Sequence, residues 1–175
     1  MSNTVTIKLS KAKLIKNTFL TSLFFIAGLL MVVKPFWFIK SDNPSMIVVF
    51  GYILLAIAGL VLLVYLIKLS DRKPALIIDD EGITDNSSGV AAGKILWSDI
   101  RRVSTETVSG QQFIMVEVKN PQQYIKAQKN PLKKSMMTLN HSLYKTPIHI
   151  TAMGMKVKFD DLYKAVENGF QNYKR

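Results

Sequence analysis

From Met46 to Ile67 no charged side chain interrupts twenty-two residues, and no polar stripe marks one side of the run. At about 1.5 Å per residue a helix of this length covers roughly 33 Å, against a bilayer hydrocarbon core of roughly 30 Å. Buried helices of soluble proteins are usually shorter and keep a polar face, so the pattern predicts a membrane span. A second apolar stretch, Thr18 to Val33, is sixteen residues long and falls short of a full crossing. Extending it to about Ile39 completes the span, with Lys34 snorkelling and Phe36, Trp37 and Phe38 at the interface. Pro35 is expected to end or kink that helix. After Pro74 the pattern changes to short alternating runs divided by turn residues, the signature of strands.

The segment order is therefore a basic leader over residues 1–17, a transmembrane helical hairpin over 18–67 (about 18–39 and 46–67), and one soluble domain over 74–175. The connection Ile39 to Ser45 is short and carries the turn signal Asn43-Pro44. Lys8, Lys11, Lys13 and Lys16 precede the first span, and Lys68, Arg72 and Lys73 follow the second. The excess of positive charge predicts both termini on the cytoplasmic side, although Lys34 and Lys40 flank the outer connection. A cleaved secretory leader is disfavoured, because Lys34, Pro35 and aromatic residues stand where a small-residue cleavage site belongs. Apart from Lys34 neither span holds an ionisable group, which argues against a channel or transporter acting alone. Gly51, Ala56 and Gly59 do not form a clean small-residue repeat and read as ordinary residues of a membrane helix.

In the soluble domain, Ala75 to Ile78 reads as a strand, Asp79-Asp80-Glu81-Gly82 as a turn, and Ile83 as the start of a second strand. Asp85 to Gly89 is a loop. Ile95 and Trp97 share a face before a break at Ser98-Asp99, after which Ile100 and Val103 return to the core. Phe113 to Val118 alternates most cleanly, with Ile114, Val116 and Val118 on one side. Pro121 and Pro131 suit first helical positions for helices over 122–128 and 132 to about 143. Pro147 to Ile150 reads as a last strand. Asp160 is expected to cap a closing helix, 161–173, in which Leu162, Val166, Phe170 and Tyr173 recur at helical spacing.

This order, with Asp80-Glu81-Gly82-Ile83 and Ile95-Leu96-Trp97-Ser98-Asp99-Ile100, resembles the bacterial pleckstrin-homology-like domains found behind paired membrane helices in small proteins of unassigned function. The resemblance implies an α+β membrane protein: an N-terminal transmembrane hairpin, then a bent antiparallel sheet with a helical insertion and a C-terminal capping helix. Trp97 would fill the core and Asp99 would turn the chain. Two departures stand out. Headgroup-binding members of the wider class carry basic residues around the first strand turn, where this chain reads Asp79-Asp80-Glu81. The closing helix also lacks the tryptophan common in that class, with Phe170 the nearest large residue.

Composition narrows the chemistry. The chain has no cysteine, which removes disulfides, thiolate metal sites and a cysteine nucleophile together. Its formal net charge is +11, which beside two membrane spans points to anionic lipid rather than nucleic acid. His141 and His149 lie on different elements without carboxylates at ligand spacing, so no metal is expected. The cluster Asp79-Asp80-Glu81 lacks the alternation of a calcium loop and reads as a solvated turn, and Asp160-Asp161 as favourable charge at a helix start. No phosphate loop, nucleophile elbow or zinc-protease helix is present, and neither catalytic residues nor a cofactor are expected. The acceptor patterns Asn86-Ser87-Ser88 and Asn140-His141-Ser142 would face the cytoplasm and stay unglycosylated.

One charge feature remains. From Lys119 to Lys158 there are eight lysines, Lys119, Lys126, Lys129, Lys133, Lys134, Lys145, Lys156 and Lys158, and no acid. Lys126, Lys129, Lys133 and Lys134 are the candidate contact residues for a partner or the lipid surface, and Met136 and Met137 would make that surface adaptable. The expected protein is a non-enzymatic, membrane-anchored interaction protein at the cytoplasmic face of the bacterial inner membrane. Its partners would be the bilayer and a membrane or cytoplasmic protein, with self-association left open. The alternatives are an immunity protein that neutralises a membrane-active toxin, and an accessory subunit of a membrane complex.

Overall fold

The structure is a computed structural model and describes residues 4–40 and 43–174. It is an α+β protein with two apolar N-terminal helices and two antiparallel sheets. The chain divides into two compact units: Lys11–Asp71, and the residues before Lys11 together with those from Arg72 onward.

The first unit is a helical hairpin. Helix α1 runs Lys11–Val33 and helix α2 Ser45–Ser70, and both are long and apolar enough to cross a membrane. α1 differs from the expected span at both ends. It begins seven residues before Thr18, within the lysine-rich leader, because Lys11 to Lys16 are good helix formers. It stops at Val33, since Pro35 disfavours helical backbone at Lys34, and a separate 3-10 turn, Pro35–Trp37, follows. Asn43 accepts the Ser45 amide at 3.0 Å as α2 begins, while Ser41 and Asp42 of the expected connection lie outside the described residues. Lys11 donates to the Leu69 carbonyl at 3.2 Å, satisfying one orphan acceptor at the end of α2.

Small residues set how closely the two helices pack. A Cβ on Gly28 would stand 3.1 Å from the Gly51 carbonyl oxygen, and one on Gly51 would stand 2.8 Å from Val32. Ala58, two turns beyond Gly51, is buried as well, and Gly59 faces Phe25. Gly51 and Gly59 are thus packing positions, whereas Ala56 is exposed. The sequence reading missed this because Gly51 meets its counterpart on the other helix, not at a fixed spacing on its own.

The second unit is the domain. Strands β1 (Val5–Ile7), β2 (Leu76–Ile78), β3 (Gly82–Asp85) and β4 (Gly93–Leu96) form one antiparallel sheet in that order. Strands β5 (Ile100–Val108), β6 (Gln111–Val118) and β7 (Ile148–Ile150) form the other. The main departure from the sequence reading is β1. Residues expected to be a leader outside the domain pair with β2, Val5 opposite Ile78 and Ile7 opposite Leu76. Leu9 bridges to Met155, and Ser10 donates to the Gly154 carbonyl at 2.8 Å. The hairpin is therefore inserted between two paired strands of one sheet. A second correction follows: the acidic turn Asp79-Asp80-Glu81 joins β2 to β3 and is not the first strand connection.

Helix α5 (Phe159–Lys174) covers the core with Leu162, Val166 and Phe170. Its first residue is Phe159, and the Leu162 amide bonds the Lys158 carbonyl, so Asp160 lies in the first turn and does not cap it. Trp97 is 2% exposed and centres the core, its ring 6.2 Å from Phe170 and its indole N–H donating to the Asp79 carbonyl at 2.8 Å. Gly169 lets α5 settle on that ring, because a Cβ there would stand 2.7 Å from Trp97 Cζ2.

Candidate interaction surface

The four lysines singled out in the sequence lie on an insertion between β6 and β7. Helix α3 (Pro121–Lys126) and helix α4 (Pro131–Tyr144) each open on the same local device. Asn120 accepts the Gln123 amide at 3.3 Å, and Asn130 accepts the Leu132 and Lys133 amides at 2.9 and 3.2 Å. A proline then occupies the first turn, where its missing N–H costs nothing.

Long-range contacts fix the insertion to the domain. Tyr124 is buried and donates its hydroxyl to the Asp99 carboxylate at 2.7 Å, while the Asp99 carbonyl accepts the Lys119 amide at 2.8 Å. Burial, together with that carboxylate, pushes the Tyr124 phenol far above its ordinary range, so the hydroxyl stays a donor. Asp99 thus does more than turn the chain. Met137 of α4 is fully buried, and Tyr144 meets the His149 ring edge-on at 5.0 Å. His149 also bonds the Thr146 carbonyl at 3.1 Å, and desolvation lowers its pKa despite that carbonyl.

Lys126 ends α3, Lys129 lies in the connection, and Lys133 and Lys134 lie in the first turn of α4. Lys126, Lys129 and Lys134 are exposed and Lys133 is half-buried. That first turn contains no acid, so two lysines stand at the positive end of the helix dipole, where charge of their sign destabilises the helix. By contrast, the acidic turn is internally engaged: Asp79 accepts the Glu81 and Gly82 amides at 2.9 and 3.0 Å, and Glu81 pairs with Lys94.

The sequence reading missed a stripe on α4. Leu132, Met136, Leu139 and Leu143 recur at spacings of four, three and four and are all exposed. Their periodicity was legible; their outward direction was not. A shallow depression of about 540 Å³ beside the stripe is lined by Pro131, Lys134, Ser135, Thr138, Leu139 and Ser142. Among the described residues no three of His, Asp and Glu converge as metal ligands would.

Compared with models of known families, with curated proteins and with solved structures, the chain finds no match.

Proposed function

We propose that this chain is a non-enzymatic interaction protein of the bacterial cytoplasmic membrane: the hairpin crosses the bilayer and carries a pleckstrin-homology-like domain on the cytoplasmic side. The observation that carries the reading is the insertion of an apolar hairpin between two paired strands of the domain. Phe19, Ile57 and Leu63 are among many large apolar side chains that the hairpin leaves exposed, on helices without a polar face. Four strands, then three, then a closing helix whose Phe170 packs on Trp97 support the pleckstrin-homology-like assignment. In this arrangement the hairpin replaces the first strand turn, where headgroup-binding members of that class carry their basic residues. The contact surface is instead the insertion that bears Lys126, Lys129, Lys133 and Lys134.

Topology is the test. The chain has no cysteine, so Lys40→Cys and Thr107→Cys each supply a single thiol. In intact cells a membrane-impermeant maleimide is expected to label Lys40→Cys and to reach Thr107→Cys only after the membrane is opened. Labelling of both from outside, or extraction of the chain by alkaline carbonate, overturns the reading.

A further inference from the structure

We propose that α4 is an interfacial helix that lies in the anionic leaflet, with Leu132, Met136, Leu139 and Leu143 buried among the acyl chains. The inference rests on the reading of the hairpin as a membrane anchor and assigns the lipid surface as the occupant of the insertion's outer face. At 3.6 residues per turn the four side chains fall within roughly 60° of one another, a narrow apolar stripe. They are 46%, 38%, 50% and 61% exposed, respectively, on a helix whose other side is anchored by the fully buried Met137. α4 therefore turns Met137 toward the domain and its apolar stripe away from it.

Charge decides what covers the stripe. The interval from Lys119 to Lys158 contains no acid, and exposed lysines stand at the entrance to α4. A protein partner would have to bring acids to that rim as well as an apolar groove. A second copy docking through the same face would bring lysine against lysine. An anionic bilayer supplies both complements in one surface: acyl chains for the stripe and phosphate charge for Lys126 and Lys129 ahead of α4 and for Lys133 on its flank. Met136 and the unbranched lysine stems suit an irregular lipid boundary. A four-residue stripe binds a membrane weakly by itself. The two short chain connections to the hairpin, Ser10 to Lys11 and Asp71 to Ala75, make its insertion an intramolecular event.

The experiment places the full chain in nanodiscs of phosphatidylcholine, with or without phosphatidylglycerol. A polarity-sensitive dye is carried on Leu139→Cys, or on Gln112→Cys as an exposed site of the same domain. In anionic discs the dye at position 139 is expected to shift to the blue and to be quenched by lipids spin-labelled in the upper acyl chain, and the dye at 112 is not. Reversing Lys126, Lys129 and Lys133 to glutamate should lower the inserted fraction on the order of tenfold or more, because each contributes to attraction by the anionic surface. An unchanged dye at 139 in anionic discs overturns the proposal. So does a shielded dye in neutral discs accompanied by crosslinking between copies, which assigns the face to self-association. Failure of the chain to enter discs at all would instead reject the anchor reading. The signal at 112 and the circular dichroism spectrum, unchanged among variants, establish that each is folded.

Discussion

Helices α5 and α4 carry the same kind of signal and meet opposite fates. In α5, Leu162, Val166 and Phe170 repeat every four residues and are buried against Trp97 and the sheets. In α4, Leu132, Met136, Leu139 and Leu143 repeat just as regularly and stand exposed, while Met137 alone is fully buried beneath them. Periodicity establishes that a helix has an apolar face; it does not establish what lies against that face. The hairpin extends the same point, because α2 and the part of α1 beyond Ser22 are apolar on every side and only Leu14, Gly28, Gly51 and Ala58 are buried in the two helices. Exposure of an apolar side chain therefore has two meanings in this molecule. On α1 and α2 it extends along both helices away from their contact, and on α4 it is confined to one stripe.

The sharpest test of the contrast is truncation of each stripe. Phe170→Ala should destabilise the domain by about 3 to 5 kcal/mol, the usual cost of removing a buried aromatic ring. Leu139→Ala should fall within about 0.5 kcal/mol of the unmodified chain, as exposed substitutions do. Urea unfolding followed by Trp97 fluorescence in a Trp37→Phe background separates the two. A large loss from Leu139→Ala would make the α4 stripe structural and dissolve the comparison.

A smaller effect probes what holds the insertion in place. Tyr124→Phe removes the hydrogen bond to Asp99 and should cost about 1.5 kcal/mol, as bonds to charged acceptors do. Hydrogen exchange is expected to rise in α3 and α4 and to stay constant in α5. Exchange rising equally in α5 would show that the insertion and the core open together. Next is the end of α4, where Lys145 is held left-handed at φ 63°. Lys145→Gly should stabilise the domain by about 0.5 to 1 kcal/mol in the same unfolding assay, because glycine adopts that backbone without strain.

The last effect is read as a slope with pH. Burial lowers the pKa of His149 below its ordinary 6.5, so the unfolded chain takes up its proton first as pH falls. The stability that neutral His149 contributes is complete above about pH 6.5 and declines as pH drops from there toward the folded-state pKa. His149→Phe, which keeps a ring against Tyr144 and Phe113, should flatten that part of the profile. A profile unchanged by the substitution would assign the slope to other groups.

Much of this architecture was legible because it depends on local pattern. Pro35 marked the end of α1, the proline pair marked α3 and α4, and the Ile95-to-Ile100 run marked the turn around Trp97. The lysines of the candidate surface could be named because an acid-free interval is visible in composition. What escaped depended on residues far apart in the chain. Val5–Ile7 is too short to announce a strand, and its partner β2 lies beyond the whole hairpin. The Asp99–Tyr124 bond joins a turn to a helix across β5 and β6.

The sequence by itself determined that the chain has two apolar helices, a mixed domain behind them, a closing helix with a buried face and a basic insertion. Each of these is written in periodicity, turn chemistry or charge, which act over a few residues. Only the tertiary structure decided that the domain begins before the hairpin, that Gly28 meets Gly51, and that the α4 stripe faces away from the core. Those outcomes depend on which surfaces come together in space, and a linear pattern supplies the faces without choosing their partners.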